Sequence, residues 1–174
     1  REAFRRLAAE GLVELALYKG ATVRRLSKKD VLEAFLIREL LEGLVVRLAT
    51  PIIAADPALT RTLLEFREEL RQTARAPDGG ESYVRANNRF HQFLIEAARS
   101  SQLERLVAQI QLPIYRIIYA RLLAESTRLR SLAEHERIID AMLANDAEGA
   151  ELAMRDHVHA SAESLLTLSE DYFS

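Results

Sequence analysis

The segment from Glu134 to Val158 holds a turn signal with a histidine equidistant on either side, and this symmetry dictates how the chain folds there. The run from Glu134 to Leu143 carries apolar residues at helical spacing and meets Ala144-Asn145-Asp146-Ala147. Asn145 suits the C-terminal end of one helix, and Asp146 suits the N-cap of the next. The second helix places Ala150, Ala153, Met154, His157 and Val158 on one inward stripe. His135 stands eleven residues before Asp146 and His157 eleven after it. At the helical rise, each imidazole lies about 16 Å from the turn. An antiparallel pair therefore brings the two rings level.

A third histidine belongs with them. Asn87 and His91 are four residues apart, so they project from one helical face. Imidazole nitrogen is a borderline ligand suited to zinc, nickel, copper or iron, and the amide oxygen of Asn87 offers a fourth bond. A single histidine on an apolar helix face is ordinarily a hydrogen-bonded core residue. Spacing alone leaves the ligand and core readings both open for the three. His159, two residues beyond His157, points to nearly the opposite face and reads as solvated.

The remaining pattern is helical from Ser27 onward. Ser27 and Asp30 supply an N-cap and a first-turn acid for a helix expected to stop near Thr50, before Pro51. Leu41, Val45 and Leu48 continue its inward stripe. Further helices are expected over about 57–74, over about 82–99 and from near Gln102, with a loop over 75–80. Pro113 should kink or break the fourth helix before the stretch 114–124. With the final hairpin this makes six helices on short connections, an all-α antiparallel bundle. The chain's 174 residues, 49% of them hydrophobic, suffice for its core.

The first residues differ in character. Residues 1–10 form an amphipathic helix with Gly11 as its C-cap, and Leu12–Leu17 and Ala21–Leu26 read as short strands around Tyr18-Lys19-Gly20. Basic residues dominate here, although the whole chain carries a net charge of only −2, which argues against a protein-wide electrostatic grip on nucleic acid. A helix and a basic hairpin cannot bury an apolar face by themselves, so this piece reads as the end of a longer unit. Cysteine is absent, which removes disulfides, cysteine zinc sites and thiol catalysis. No apolar run reaches membrane-spanning length and the N-terminus is not signal-like, so a cytoplasmic protein without membrane contact is expected.

In order along the chain, Arg1 to Glu14 and Lys19-Gly20-Ala21-Thr22-Val23 resemble the end of a winged helix-turn-helix of the GntR superfamily. Ile37-Arg38-Glu39-Leu40-Leu41-Glu42-Gly43, Asn87-Asn88-Arg89-Phe90-His91, Glu134 to Ala141 and Met154-Arg155-Asp156-His157 resemble the FCD ligand-binding domain of its FadR-like branch. The resemblance covers essentially the whole chain and implies two parts, the winged-helix fragment 1–26 and the helical effector-binding and dimerisation domain 27–174. It implies a homodimeric transcription factor that binds operator DNA, a divalent metal (zinc or nickel, with manganese also possible) and a small carboxylate effector. Metal ligands are then His91, His135 and His157 with Asn87, where the family often has Asp. Asn is neutral and a weaker ligand. Ser100 also stands where the family commonly has Asn.

The resemblance gives Arg38 the role of a carboxylate clamp, since guanidinium matches a carboxylate's planar fork. The residues by themselves equally allow a solvated arginine or an i,i+4 pair with Glu42. Tyr115, Arg116 and Tyr119 would line the same pocket, or pack ordinarily. Arg1 at the start of a recognition helix would reach a guanine edge, Arg5 and Lys19 would meet phosphates, and Gly20 would allow close approach at the wing tip.

Two other functions compete. A metal-dependent enzyme needs an acid or base near the ion; Glu134 and Asp156 directly precede His135 and His157 and so should point to other faces, which argues against an enzyme. A ligand-free helical dimerisation module would make the histidines structural.

Overall fold

The computed structural model describes residues 2–9, 13–16, 20–23, 27–78, 80–110, 124–169 and 173. A helix, α1 (Glu2–Ala9), leads into an antiparallel hairpin of β1 (Val13–Ala16) and β2 (Gly20–Val23), with Val13 opposite Val23 and Ala16 opposite Gly20. Among the described residues six helices follow: α2 (Lys28–Ala55), α3 (Pro57–Ala74), α4 (Glu81–Ala97), α5 (Ser101–Ile110), α6 (Glu125–Leu143) and α7 (Ala147–Leu166). This is the expected helical bundle behind a small hairpin. Gly11, Pro113 and the stretch 114–123 lie outside the described residues.

Local chemistry accounts for most boundaries. Ser27 opens α2 with a capping box: its hydroxyl accepts from the Asp30 N–H, and its own N–H donates to the Asp30 carboxylate at 2.9 Å. The helix does not stop at Pro51, as its sequence suggests, but runs through it to Ala55. A proline removes one backbone donor, whereas Val46, Ala49 and Ile53 on the same face are all 1% exposed or less. Burial of Ile53 beyond the proline outweighs the lost bond. The stop comes at Asp56, held extended by Pro57 after it, and the Asp56 carboxylate then caps α3 at the Ala58 N–H.

The next two elements are set similarly. α4 ends at Ala97, short of the expected Arg99, because Arg99 takes a left-handed φ of 50°. Ser100 then accepts from the Leu103 N–H, so its hydroxyl serves as the cap of α5. The final turn is as read: Asn145 is left-handed with φ 55°, and Asp146 accepts from the Gly149 N–H at 2.9 Å.

α7 packs along α2 on one side and α6 on the other, while α4 bridges α2 and α3. Gly43 permits the close approach of α2 and α7, since a Cβ there would lie 2.8 Å from Arg155 Cγ. The core includes Phe90, Leu94, Ile138, Ile139, Met142 and Met154, each no more than 1% exposed. Leu48 is not on this inward stripe. It is 39% exposed, in line with Leu32, Leu36, Leu40 and Leu44 along the outer face of α2. Four-residue steps precess slowly around a helix, and this set falls on the side away from Val45 and Val46.

Candidate metal centre

The helical hairpin delivers His135 from α6 and His157 from α7 at the same depth, and α4 brings His91 to meet them. His135 is fully buried, His157 is 5% exposed, and the side chain of His91 is 16% exposed. One ring nitrogen from each lies within 4.8 Å of the others. The sequence therefore placed the trio correctly in space.

Every Nδ1 of the trio has a partner. His91 Nδ1 donates to Glu42 Oε2 at 2.9 Å, and His157 Nδ1 donates to Glu134 Oε2 at 2.8 Å. His135 Nδ1 lies 3.2 Å from the Tyr83 hydroxyl, which donates to Ser131 Oγ at 2.9 Å. With Nδ1 of each ring held in this way, Nε2 is the nitrogen available for a ligand. Holding Nδ1 by a carboxylate or hydroxyl is the usual way a protein fixes a ligating imidazole. His91 Nε2 and His135 Nε2 are only 3.3 Å apart. With one of these nitrogens protonated the contact is an N–H···N hydrogen bond; with both unprotonated, the facing lone pairs suit a cation between them. Two nitrogens sharing one tetrahedral ion at zinc's usual bond length sit about 3.4 Å apart. The donor set thus fits a divalent ion.

Burial pushes the imidazolium form of His135 well below the usual histidine range, reinforced by repulsion from His157 and His91. Burial likewise lowers His157, partly opposed by its bond to Glu134. Burial would raise the Glu42 carboxyl, but the Arg38 charge and the His91 hydrogen bond outweigh it and hold the group well below the usual carboxylate range.

These directions predict the acid behaviour of the metal-free protein. Unfolded histidines take up protons below their ordinary 6.5, while His135 and His157 in the folded state resist them. Stability should therefore decline as pH falls below 6.5, until the lowered folded-state values are reached. Glu42 adds to acid sensitivity once pH falls below the ordinary carboxylate value of 4.5, and the loss accumulates until its lowered folded-state value is reached. Urea melts in chelator at pH 7.5, 6 and 5 would check this, and equal stabilities across the three would contradict it.

The site opens onto a cavity of about 580 Å³. Arg38, Glu42, Asn87, His91 and His157 all line it, with Phe35, Phe66 and Phe93 giving an apolar wall. Asn87 is half-buried and faces the same space as His91, one turn along α4. Arg38 is engaged with Glu42: its Nε and Nη2 both reach Glu42 Oε1 at 2.8 Å, and its guanidinium lies 4.6 Å from the centre of the Phe35 ring. Its Nη1 edge is not used in that pair. Tyr115, Arg116 and Tyr119 lie outside the described residues, as do Arg1 and Lys19. Arg5 is exposed on α1, and Gly20 is exposed with φ 87° at the start of β2. His159 is 59% exposed, near Glu39 and Glu163.

The sequence reading failed on two carboxylates. Glu134 does not point away from the site; it is 7% exposed and bound to His157. Adjacent helical residues diverge by only about 100°, and α6 is flanked by two histidine-bearing helices, so Glu134 faces α7 while His135 faces α4. Glu42 is 5% exposed and touches both Arg38 and His91. Its signal was present in the four-residue step from Arg38. With two buried carboxylates, the centre is less positive than histidines, Asn87 and Arg38 alone imply.

The family profile of the FCD domain matches residues 33–160. The probable D-xylose utilization operon transcriptional repressor of Paenarthrobacter nicotinovorans is 34% identical over 163 residues, spanning 92% of this chain and 69% of its own length. The HTH-type transcriptional repressor RspR of Escherichia coli is 25% identical, across 100% of this chain and 76% of its own. Among solved structures, McbR/YncC of Escherichia coli superposes with a TM-score of 0.80 at 20% identity, covering 95% of this chain and 82% of that one.

Proposed function

Because the chain belongs to the FCD family of GntR-type transcriptional regulators, we propose that its helical domain holds one divalent ion on His91, His135 and His157 and senses a small carboxylate bound beside that ion. The relatives are regulators and not enzymes. The observation that supports the metal reading best is the convergence of one ring nitrogen from each histidine within 4.8 Å, with Nδ1 of His91 and of His157 held by buried carboxylates.

In this reading Asn87 lies close to the ion, which is zinc or nickel, with manganese as a further option. A bound ion supplies Lewis acidity and positive charge. The chain's residues do the rest: Glu42, Tyr83 and Glu134 orient the imidazoles, Phe35 and Phe66 exclude water, and Arg38 offers its free Nη1 edge to a carboxylate. Tyr115, Arg116 and Tyr119 would complete the pocket.

The division at residue 26 belongs to the same proposal. Residues 1–26 would form the recognition helix and wing, with Arg1 on a base edge, Arg5 and Lys19 on phosphates, and Gly20 at the wing tip. Residues 27–174 would carry the effector site and the homodimer contact. A second copy of the chain would cover the exposed leucines along α2. Among the described residues no helix is long and apolar enough to cross a membrane, in keeping with a cytoplasmic, DNA-bound regulator. Ligands come from three helices, so occupancy would shift their packing and, through Ser27, the disposition of the DNA-binding elements.

Thermal shift against small carboxylates and their uncharged amides tests the effector half. Carboxylates should raise the Tm of metal-loaded protein, chelator should abolish the response, and Arg38→Ala should weaken it. A response to amides equal to that of the acids, or one unchanged by chelator, would contradict the reading.

A further inference from the structure

Two of the three histidines are held by the same arrangement. On α2, Arg38 and Glu42 stand one turn apart, and Glu42 reaches across to His91 on α4. On α6, Arg130 and Glu134 stand one turn apart, and Glu134 reaches across to His157 on α7. In each, one carboxylate oxygen faces the arginine and the other accepts from the imidazole Nδ1.

The two differ in tightness. Arg38 Nε and Nη2 both lie 2.8 Å from Glu42 Oε1, and the Phe35 ring backs the guanidinium at 4.6 Å. Arg130 Nε stops 3.7 Å from Glu134 Oε1, its side chain is 56% exposed, and its Nη2 donates to Ser164 Oγ. Water therefore screens the second pair far more than the first.

We propose that Arg38 is a positioning residue for the ion: it holds Glu42 on His91, so that losing this cation weakens the chain's grip on a divalent cation. The step rests on the metal reading above. Charge alone predicts the reverse, because removing one positive charge favours another nearby. Glu42, however, is buried, and each of its oxygens is committed to one partner. Without the guanidinium, Oε1 is left unpaired, and the side chain gains by turning toward water in the cavity it lines. His91 Nδ1 then loses the acceptor that fixes its ring, and His91 is the most exposed of the trio and the freest to turn. The residue that would clamp a carboxylate is thus also tied to a metal ligand.

Zinc affinity of the chain, read by competition with a chelator of known affinity, tests this. Arg38→Gln should weaken zinc binding by about tenfold. Arg130→Gln removes the same charge from the looser pair and should cost about threefold at most. In a Glu42→Gln background, Arg38→Gln should add little further loss, since the contact through which it acts is already gone. Nitrogen-15 spectra of ring-labelled histidines in the metal-free chain give a readout that a general loss of stability would not: Arg38→Gln should shift the His91 ring nitrogens and leave those of His157 in place. Circular dichroism in chelator checks that each variant folds. If Arg38→Gln does not, Arg38→Lys, which keeps the charge but loses the planar fork, replaces it with the same expected direction. Zinc bound equally or more tightly by folded Arg38→Gln would overturn the proposal and leave the metal reading standing. So would unchanged His91 nitrogens, a loss matched by Arg130→Gln, or a loss undiminished in the Glu42→Gln background. A wild-type chain that binds no zinc would remove the metal reading and this inference with it.

Discussion

Replacing His135 with Ala should strip the protein of its metal and lower its Tm by on the order of 10 °C in metal-replete buffer. His135 is the fully buried member of the trio, and its Nε2 lies opposite that of His91. An ion bound only by the folded state at a thousand times its dissociation constant contributes about 4 kcal/mol. Truncating the ring also leaves a void beside Phe90 and the Tyr83 hydroxyl without its neighbour. The two contributions separate in chelator, where wild type loses the metal term and the variant keeps only the packing defect. His159→Ala is the matched control and should change neither metal content nor Tm. Equal metal content in His135→Ala and wild type would rule out the assignment.

Glu134→Gln should weaken metal binding by about 10- to 100-fold while leaving the fold in place. The amide oxygen can still accept from His157 Nδ1, so the ring keeps its orientation, but the imidazole loses the carboxylate that makes it a stronger donor. Competition against a chelator of known affinity gives the ratio directly. No change in affinity would make Glu134 a packing residue with no hold on the ion. An unfolded variant would be recognised by its far-ultraviolet circular dichroism, and Glu134→Asp then tests whether the charge is what matters.

The legible parts of this molecule were those written in local chemistry. Asn145 and Asp146 specify a reversal by their own backbone and side-chain preferences, and equal spacing from that reversal places His135 against His157 whatever surrounds them. The extent of α2 was not legible, because Pro51 is a local signal and the burial of Ile53 that overrides it is tertiary. Glu134 was misjudged for a related reason. Whether two adjacent residues face one site depends on how many helices surround theirs, and sequence periodicity measures a single face. Glu42 was visible only as a partner of Arg38; its contact with His91, forty-nine residues away, needs α2 and α4 in place. Leu48 was placed on one stripe with Leu41 and Val45, but the three-residue step from Val45 turns it about 60° away from the side that Val46 and Ala49 bury, and the sequence does not say which flank of the stripe the bundle takes.

The proposed metal centre requires three imidazole nitrogens to converge on one ion. X-ray absorption at the metal edge, on the chain reconstituted with zinc or nickel and freed of excess metal, measures this most directly. One ion per chain, with a coordination shell whose scattering requires three imidazoles, is the expected result. A shell of oxygens only, or of fewer than three imidazoles at full occupancy, would contradict it.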